Sequence, residues 1–574
     1  MKPQFLTRLA VLIAIALLMP STARPAAAKP HQSGPVAFSW MAEGDQAGAQ
    51  FGRSVNSAGD VNGDGYADVI VGAPYYSNGQ PQEGKVSVYY GSATGLSKTA
   101  NWTAEGNDDS AQFGFSAGTA GDVNCDGYAD IIVGAQYYWR PEVGGKAYVY
   151  YGSANGLSAT PNWVVQGDQY DARVGGIVGT AGDVNGDGCA DVIVSAHAYD
   201  TSQKDGGRVY VYYGSHSGLS TTPNWIVDGN QYEEYFGQWA GAAGDVNGDG
   251  YADILVGAYW YDNGQTNEGK VYLYYGSPTG LSTTPAWTAE GNQANADFGL
   301  SVGTACDVNG DGYADILIVA TQYDHGQTDE GRAYVYYGSP SGPGASPNWT
   351  FETNQAYAKI GFPMVGAGDV NGDGYTDVII GSDGYDSGQT DEGKVFLFYG
   401  SANGLSKTPV WTAEGNQDGA GFGISAGTAG DVNGDGYADL IVGAYLYDDG
   451  QSDEGAAFAF YGSANGLPVS TMHIASINPF YKVSGNQYQV GTTVVVQDAS
   501  GAPVDKAQVT IQTTQPDGNV FSIKPTTDSS GTARMAFYTT LHGTFTFTVT
   551  GVIKTGWAYD PAQNVETSDS ITIP

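Results

Sequence analysis

The chain has 574 residues, which is more than one ordinary folding unit and enough to bury a large core. Acidic residues outnumber basic ones 60 to 22, giving a formal charge of −38, so binding to nucleic acid or to an anionic membrane surface is disfavoured and a cation is the natural partner. The 86 glycines and 41 tyrosines predict many short strands joined by tight turns. Three cysteines, Cys125, Cys189 and Cys306, are too few for a disulfide framework.

The N-terminal residues have the three parts of a secretory signal peptide. Basic residues Lys2 and Arg8 flank the start of an apolar run of 11 residues at 9–19, and small residues follow at 26–28. A bilayer-spanning helix needs about 20 apolar residues, so this run is too short. We predict a signal peptide at 1–28, a linker at 29–37 and an exported chain without a transmembrane segment. A short buried helix is the alternative.

A hexapeptide, Asp-Val-Asn-Gly-Asp-Gly, recurs seven times. Its copies begin at Asp60, Asp122, Asp183, Asp245, Asp307, Asp369 and Asp431, and the second copy has Cys in place of the first Gly. Successive copies lie 62, 61, 62, 62, 62 and 62 residues apart, so each repeat is one structural module. Each module carries four strand patterns: near a Phe-Gly pair, after the hexapeptide, in a Val- and Tyr-rich run, and at a Trp.

Four strands per module predict one sheet, and seven sheets arranged radially predict a seven-bladed β-propeller over residues 38–468. An open solenoid is the alternative. The ends of the array favour the ring, because the last module stops after Tyr461-Gly462 without a Trp strand and a surplus strand at 38–43 precedes the first module. We expect residues 38–43 to pair as the outer strand of the last blade.

Each hexapeptide opens a nine-residue segment, the Asp loop, with side-chain oxygens at positions 1, 3, 5 and 9 and a carbonyl at position 7. Ca²⁺ takes six to eight oxygen ligands. An EF-hand has Glu at position 12, whereas the first loop has Val71.

The alternative to a Ca²⁺ site is that the Asn-Gly and Asp-Gly pairs only form turns. Three carboxylates in each loop repel one another without a cation, which favours up to seven Ca²⁺, one per blade. The candidate ligands are Asp60, Asn62, Asp64, Tyr66 and Asp68; Asp122, Asn124, Asp126, Tyr128 and Asp130; Asp183, Asn185, Asp187, Cys189 and Asp191; Asp245, Asn247, Asp249, Tyr251 and Asp253; Asp307, Asn309, Asp311, Tyr313 and Asp315; Asp369, Asn371, Asp373, Tyr375 and Asp377; and Asp431, Asn433, Asp435, Tyr437 and Asp439.

The order Phe-Gly, Gly-Asp, Asp-Gly, Asp, Gly-Ala-Pro, complete between Phe51 and Pro74, resembles the FG-GAP repeats of the integrin alpha-subunit propeller. The resemblance covers residues 38 to about 468. It implies an extracellular seven-bladed propeller, with Ca²⁺ between the first two strands of a blade and ligand contact on the opposite face. Phe-Gly becomes Val174-Gly175 and Ile360-Gly361 here, and the chain looks like a secreted prokaryotic relative.

The repeat ends near residue 472, where alternating Thr, Val and Gln segments begin. Turn signals at Gly501, Gly518 and Gly531 separate these segments, which predicts a small β-sandwich at 472–574. Its sequence resembles bacterial immunoglobulin-like domains, which implies a spacer or a stalk.

Departures from the repeat concentrate in the loops opposite the Asp loops. Exposed aromatic and Arg side chains are typical anchors of binding surfaces. We therefore predict that an extracellular protein or glycan binds this face through Trp139, Arg140, Tyr170, Arg173, His197, Tyr235 and Trp260.

Reactive groups outside the repeat are few, and no Gly-x-Ser-x-Gly motif with plausible partners is present. We expect a secreted or surface-associated adhesion or ligand-binding module and not an enzyme. One alternative is a calcium-dependent polysaccharide-active enzyme, for which Arg140, Arg173 or Lys204 would be the basic group. The other is a purely structural surface protein.

Overall fold

The computed structural model describes residues 38–137, 144–361, 365–467, 470–498, 501–554 and 557–574. Within these ranges the chain is all-β, with one 3₁₀ turn at Pro561–Gln563, and its strands form nine four-stranded sheets. The predicted signal peptide and linker lie outside the described residues, as do Trp139 and Arg140.

Six of the repeats each form one antiparallel sheet whose strands follow chain order. Their strands are β2 Ser54–Gly59, β3 Asp68–Ala73, β4 Lys85–Tyr89 and β5 Trp102–Glu105; β6 Ser116–Gly121, β7 Asp130–Ala135, β8 Lys146–Tyr150 and β9 Trp163–Gln166; β10 Val174–Gly182, β11 Asp191–Ala196, β12 Arg208–Tyr212 and β13 Trp225–Asp228; β14 Trp239–Gly244, β15 Asp253–Ala258, β16 Lys270–Tyr274 and β17 Trp287–Glu290; β18 Phe298–Cys306, β19 Asp315–Ala320, β20 Arg332–Tyr336 and β21 Trp349–Glu352; and β22 Val365–Gly368, β23 Asp377–Ser382, β24 Lys394–Phe398 and β25 Trp411–Glu414. The second strand of each sheet is buried along its whole length, because sheets pack against both of its faces.

The seventh sheet joins the two ends of the repeat array. It contains β26 Phe422–Gly430, β27 Asp439–Ala444, β28 Ala456–Phe460 and the first strand of the chain, β1 Trp40–Glu43. In this sheet β1 pairs antiparallel with β28, with Trp40 opposite Ala459 and Glu43 opposite Ala456. The predicted pairing of residues 38–43 is therefore present.

The first strands of successive sheets contact one another in order, and β26 of the seventh sheet contacts β2 of the first. This closed series of four-stranded sheets is consistent with a β-propeller. The outer strands add a second series of contacts: the indole N–H of Trp40 donates to the Ser97 carbonyl at 2.8 Å, and that of Trp102 donates to the Ser158 carbonyl at 3.1 Å. Trp40 thus binds its neighbouring sheet as a Trp inside the array does.

The C-terminal segment forms two further sheets around one core. One sheet has the order β33–β30–β29–β35 and the other β32–β31–β34–β36. Their strands are β29 Ser470–Ser484, β30 Gln487–Asp498, β31 Gln508–Thr514, β32 Val520–Ile523, β33 Thr532–Thr539, β34 Gly543–Ile553, β35 Trp557–Tyr559 and β36 Ser568–Ile573. Alternate residues, including Val494 of β30 and Phe547 of β34, meet in this core.

Two of the three cysteines form a disulfide. Cys125, at position 4 of the second Asp loop, is bonded to Cys189, at position 7 of the third, while Cys306 is free. In the first loop, position 4 is Gly63 at φ +73°, and an added Cβ would lie 2.4 Å from the Tyr128 ring at position 7 of the next loop. Three cysteines were too few to predict a disulfide framework. One disulfide is nevertheless present, and between the second and third loops it takes the place of this Gly–Tyr contact.

We predict that the double substitution Cys125→Gly and Cys189→Tyr makes the protein insensitive to reductant, because it restores the contact found between the other loops. A disulfide closing a loop of this length contributes roughly 2–4 kcal/mol. Melting temperatures with and without dithiothreitol should differ in the parent and agree in the double variant. A parent that melts identically in both buffers would contradict a stabilising role for the disulfide.

Candidate functional site

The Asp loops connect the first and second strands of the sheets in the repeat region, and their side-chain oxygens turn toward the loop backbone. In the first loop, Asp60 Oδ1 accepts hydrogen bonds from the backbone N–H of Gly63 at 2.7 Å, and its Oδ2 accepts one from Gly65 at 2.8 Å. Asn62 Oδ1 accepts from the N–H of Asp64 at 2.9 Å, and Asp64 Oδ1 accepts from that of Tyr66 at 3.1 Å. These bonds are Asx-type turns, which hold three oxygen-bearing side chains in one tight loop.

The aspartate at position 9 lies deeper than the others. Asp68 is fully buried, and its two oxygens accept from the backbone N–H of Val61 at 3.0 Å and of Gly91 at 2.9 Å. Burial raises the pKa of Asp68 to about 7, a shift that the two hydrogen bonds oppose and the charges of Asp60 and Asp64 increase. The bond to Gly91 also shows that the loop between the third and fourth strands lies on the face of the Asp loops.

The other six position-9 aspartates repeat this environment. Each is fully buried, and burial raises the pKa of each to about 7: Asp130, Asp191, Asp253, Asp315, Asp377 and Asp439. A buried carboxylate is unfavourable unless it is protonated or compensated by positive charge. Each of the seven loops therefore contains a buried carboxylate whose ionised form is unfavourable without a compensating positive charge.

The donor chemistry of the loops fits a hard cation. Each loop offers carboxylate, amide and carbonyl oxygens, which are the ligands of Ca²⁺. In the described part of the chain, however, no Asp loop brings single oxygens of its three aspartates within 4.8 Å of one another. Two oxygens on one Ca²⁺ lie at most about 5 Å apart, since each bond measures about 2.3–2.6 Å. A Ca²⁺ ion held by all three aspartates of a loop would need their ligating oxygens within this distance.

The loops are also linked to one another. The position-1 carbonyl of Asp60 accepts from the N–H of Ala129 in the second loop at 3.0 Å, and the carbonyl of Asp431 accepts from that of Ala67 at 3.0 Å. The last loop is thereby bonded to the first.

On the opposite face, one position in every repeat varies strongly. The residue before the Phe-Gly pair has a left-handed backbone in each repeat, and its identity changes through Gln50, Gln112, Arg173, Tyr235, Asp297, Lys359 and Gly421. A left-handed backbone is uncommon for residues other than Gly. The fold thus imposes the conformation and leaves the side chain free to vary.

Three of the predicted contacts meet in one aromatic cluster. The ring centroid of Tyr235 lies 5.1 Å from that of Trp260 and 6.4 Å from that of His197. The guanidinium of Arg173 lies near His197 and 5.2 Å from the centre of the Tyr137 ring. We call Arg173, His197, Tyr235 and Trp260 the Arg–aromatic cluster.

His197 has a different role from the one expected. It is 2% exposed, and burial, together with the charge of Arg173, lowers its pKa to about 3. The neutral ring is therefore packed beneath the other members of the cluster and is not the surface contact for a ligand that was predicted. Tyr170 is 67% exposed, and no ring contact or hydrogen bond places it in the cluster within the described residues.

Two members of this region were missed by sequence reasoning. Tyr259 lies 5.9 Å from Tyr235, and the buried Asp297 is hydrogen-bonded to the Trp260 side chain. Both occupy repeat positions that vary among the seven modules, so a column-by-column alignment of the repeats would have identified them.

Comparison with known proteins places these repeats in a described class. The FG-GAP repeat family matches residues 51–89, 113–150, 175–212, 237–274 and 298–336, and the FG-GAP-like repeat family matches 369–442. The chain thus contains five FG-GAP repeats and one FG-GAP-like segment. In its repeats it is homologous to integrin alpha subunits: it is 38% identical to integrin alpha-PS2 of Drosophila melanogaster over 188 residues and 30% identical to integrin alpha-5 of Xenopus laevis over 238 residues.

Each alignment covers a fraction of both chains. The two integrin alignments cover 30% and 40% of this chain and 12% and 22% of the integrins. A third relative, phosphatidylinositol-glycan-specific phospholipase D of Bos taurus, is 34% identical over 203 residues, which is 33% of this chain and 24% of the phospholipase. The chain therefore matches about a quarter or less of the length of these relatives.

The expectation that the chain is not an enzyme is contradicted by this comparison. Phospholipase D enzymes from cattle and humans are among its most similar relatives, each 34% identical over 203 residues. The scarcity of nucleophile motifs outside the repeats was an insufficient reason to exclude catalysis. Of the described residues, none lies in a helix long and apolar enough to cross a membrane.

Proposed function

We propose that the chain is an extracellular calcium-binding module with a seven-bladed propeller and an immunoglobulin-like sandwich, and that the propeller binds a protein or glycan ligand on the face opposite the Asp loops. The Arg–aromatic cluster carries the proposal of ligand binding. It combines a cation with aromatic side chains at the positions where the repeats diverge, which is the composition of binding hot spots.

The proposal of calcium binding rests on the Asp loops. The seven Asp loops supply hard oxygen ligands, and buried aspartates with raised pKa values would be stabilised in their ionised form by a bound cation. Ca²⁺ would be held by the side chains at positions 1, 3, 5 and 9 and by the position-7 carbonyl. Bound ions would supply positive charge that fixes the linked loops.

We predict that Arg173→Ala, Tyr235→Ala and Trp260→Ala weaken ligand binding, because each removes one side chain of the proposed binding surface. An array of glycans and matrix proteins, probed with and without Ca²⁺, supplies the ligand for the measurement. Loss of a hot-spot side chain costs about 2 kcal/mol or more, so affinity should fall about 30-fold.

Gln50→Ala is the matched control, since Gln50 holds the equivalent left-handed position in the first repeat, outside the cluster. It should leave affinity unchanged, and all four variants should melt like the parent. Unchanged affinity in all three cluster variants would contradict the proposed ligand face.

Hydrolysis of phosphatidylinositol-glycan anchors is a second candidate function, because the chain is 34% identical over 203 residues to phosphatidylinositol-glycan-specific phospholipase D. The corresponding test is release of a phosphatidylinositol-glycan-anchored protein from vesicles by the purified chain. Release above that of a heat-inactivated sample would support catalysis, and equal release would leave the binding proposal as the better account.

A further inference from the structure

In six sheets, the first residue of the third strand and the last residue of the fourth strand form a pair with a common pattern. The third strand supplies a basic residue, opposite an acidic or amide residue of the fourth strand: the pairs are Lys85 and Glu105, Lys146 and Gln166, Arg208 and Asp228, Lys270 and Glu290, Arg332 and Glu352, and Lys394 and Glu414. Lys270 Nζ lies 2.9 Å from Glu290 Oε1, and Lys394 Nζ lies 2.7 Å from Glu414 Oε1.

A loop residue supplies a second donor in several sheets. Asn78 Nδ2 donates to Glu105 at 3.0 Å, and Asn263 Nδ2 donates to Glu290 at 2.8 Å. Where both donors are present, as at Glu290, each carboxylate oxygen has its own hydrogen-bond donor. Such pairing keeps a partly buried carboxylate ionised.

The seventh sheet, which joins the two ends of the repeat array, lacks both the basic residue of the third strand and the loop donor. Opposite Glu43 the third strand has Ala456, and the loop position of Asn78 and Asn263 holds Asp449. Glu43 and Asp449 are hydrogen-bonded through their side chains, whereas Glu43 Oε2 is buried and has no hydrogen-bond partner among the described residues. Two carboxyl groups can share a hydrogen bond only when one carries a proton.

The surroundings of Glu43 are acidic on every side that packs against it. Asp45 follows β1, and Asp449, the buried Glu454 and the Tyr447 hydroxyl lie on the segment leading from β27 to β28. Burial, the hydrogen bond with Asp449 and the charges of Asp449, Glu454 and Asp45 together raise the pKa of Glu43 to about 7, with burial as the largest cause.

We propose that the seventh sheet is a pH-sensitive latch, in which one proton shared by Glu43 and Asp449 takes the place of the basic residue found in the other sheets. The ordinary pKa of Glu is 4.5, which applies when β1 is detached. Because the attached strand keeps its proton up to about pH 7, the latch is strongest below pH 4.5. It weakens as pH rises from 4.5 to 7 and stays weak above that.

Hydrogen exchange in the full chain at saturating Ca²⁺ tests the latch. Protection factors, corrected for intrinsic exchange, are measured at pH 5.5 and pH 8 for residues 40–43, and for 102–105 and 287–290 as equivalent strands in the same sample. Over this range, proton linkage predicts that protection of 40–43 falls at least about tenfold more than that of the two other strands.

Asp449→Asn supplies the amide donor found in two other sheets, and Ala456→Lys supplies the basic residue. Either variant should reduce the excess pH dependence of residues 40–43, because each gives Glu43 a hydrogen-bond donor that favours its ionised form. The latch is refuted when residues 40–43 follow the other strands in the parent, or when Asp449→Asn retains the excess. If Ala456→Lys does not fold, because Ala456 is fully buried, Asp449→Asn decides the matter alone.

Discussion

Removal of Ca²⁺ should lower the melting temperature of the chain substantially. Binding to the native state alone contributes about 2.7 kcal/mol per site when free ligand is 100 times the dissociation constant. Two occupied sites would therefore match the lower end of ordinary domain stability, about 5 kcal/mol. Calorimetric titration of chelator-treated protein should show uptake approaching seven ions, and thermal scans should show a lower melting temperature in chelator.

The matched variant for this prediction is Asp64→Asn. Asparagine keeps the Oδ1 acceptor for the N–H of Tyr66 but removes the charge that a cation needs. If the loop binds Ca²⁺, the variant should take up one ion fewer and melt below the parent in calcium. It should melt at or above the parent in chelator, because repulsion with Asp60 and Asp68 is relieved. Equal behaviour in both buffers would mean that the loop is only a turn.

Much of the repeat architecture could be predicted because the same strand and turn patterns recur in seven copies within one chain. The 62-residue spacing, the four strand patterns and the surplus N-terminal strand were all read from the chain, and the strands lie where those patterns occur. The pairing of β1 with β28 followed from counting strands, since an unpaired edge is unfavourable. The FG-GAP assignment followed from short motifs at fixed positions.

Contacts between residues of neighbouring repeats could not be predicted from the sequence where those residues depart from the repeat pattern. Cys125 and Cys189 occupy different positions of consecutive loops, and only the Gly63–Tyr128 contact explains why those two positions pair. His197 is similar: its ring contacts Tyr235 of the next repeat and is buried, whereas its position in a loop had suggested a surface contact for a ligand. The prediction that the chain is not an enzyme was wrong for a different reason: it rested on motifs outside the repeat, whereas the 203 residues aligned with a phospholipase cover only 33% of the chain.

Deletion of residues 38–43 should destabilise the repeat region more than any single substitution. The deletion removes Trp40, whose ring is 6% exposed and whose centroid lies 4.9 Å from that of Tyr89, and it removes the hydrogen bond to Ser97 at 2.8 Å. Loss of one buried Trp side chain alone costs roughly 3–5 kcal/mol. The deletion also leaves β28 as an unpaired edge, which favours association between chains.

Urea denaturation and sedimentation velocity of chains that begin at residue 38 or at residue 44 measure both effects. The chain beginning at 44 should unfold at a lower urea concentration and form oligomers, whereas the chain beginning at 38 should behave as the parent. Trp40→Ala should lie between them, because it removes the indole and keeps the backbone pairing of β1 with β28. If the two truncated chains unfold at the same urea concentration and both remain monomeric, the N-terminal strand does not stabilise the ring and its pairing with β28 is energetically unimportant.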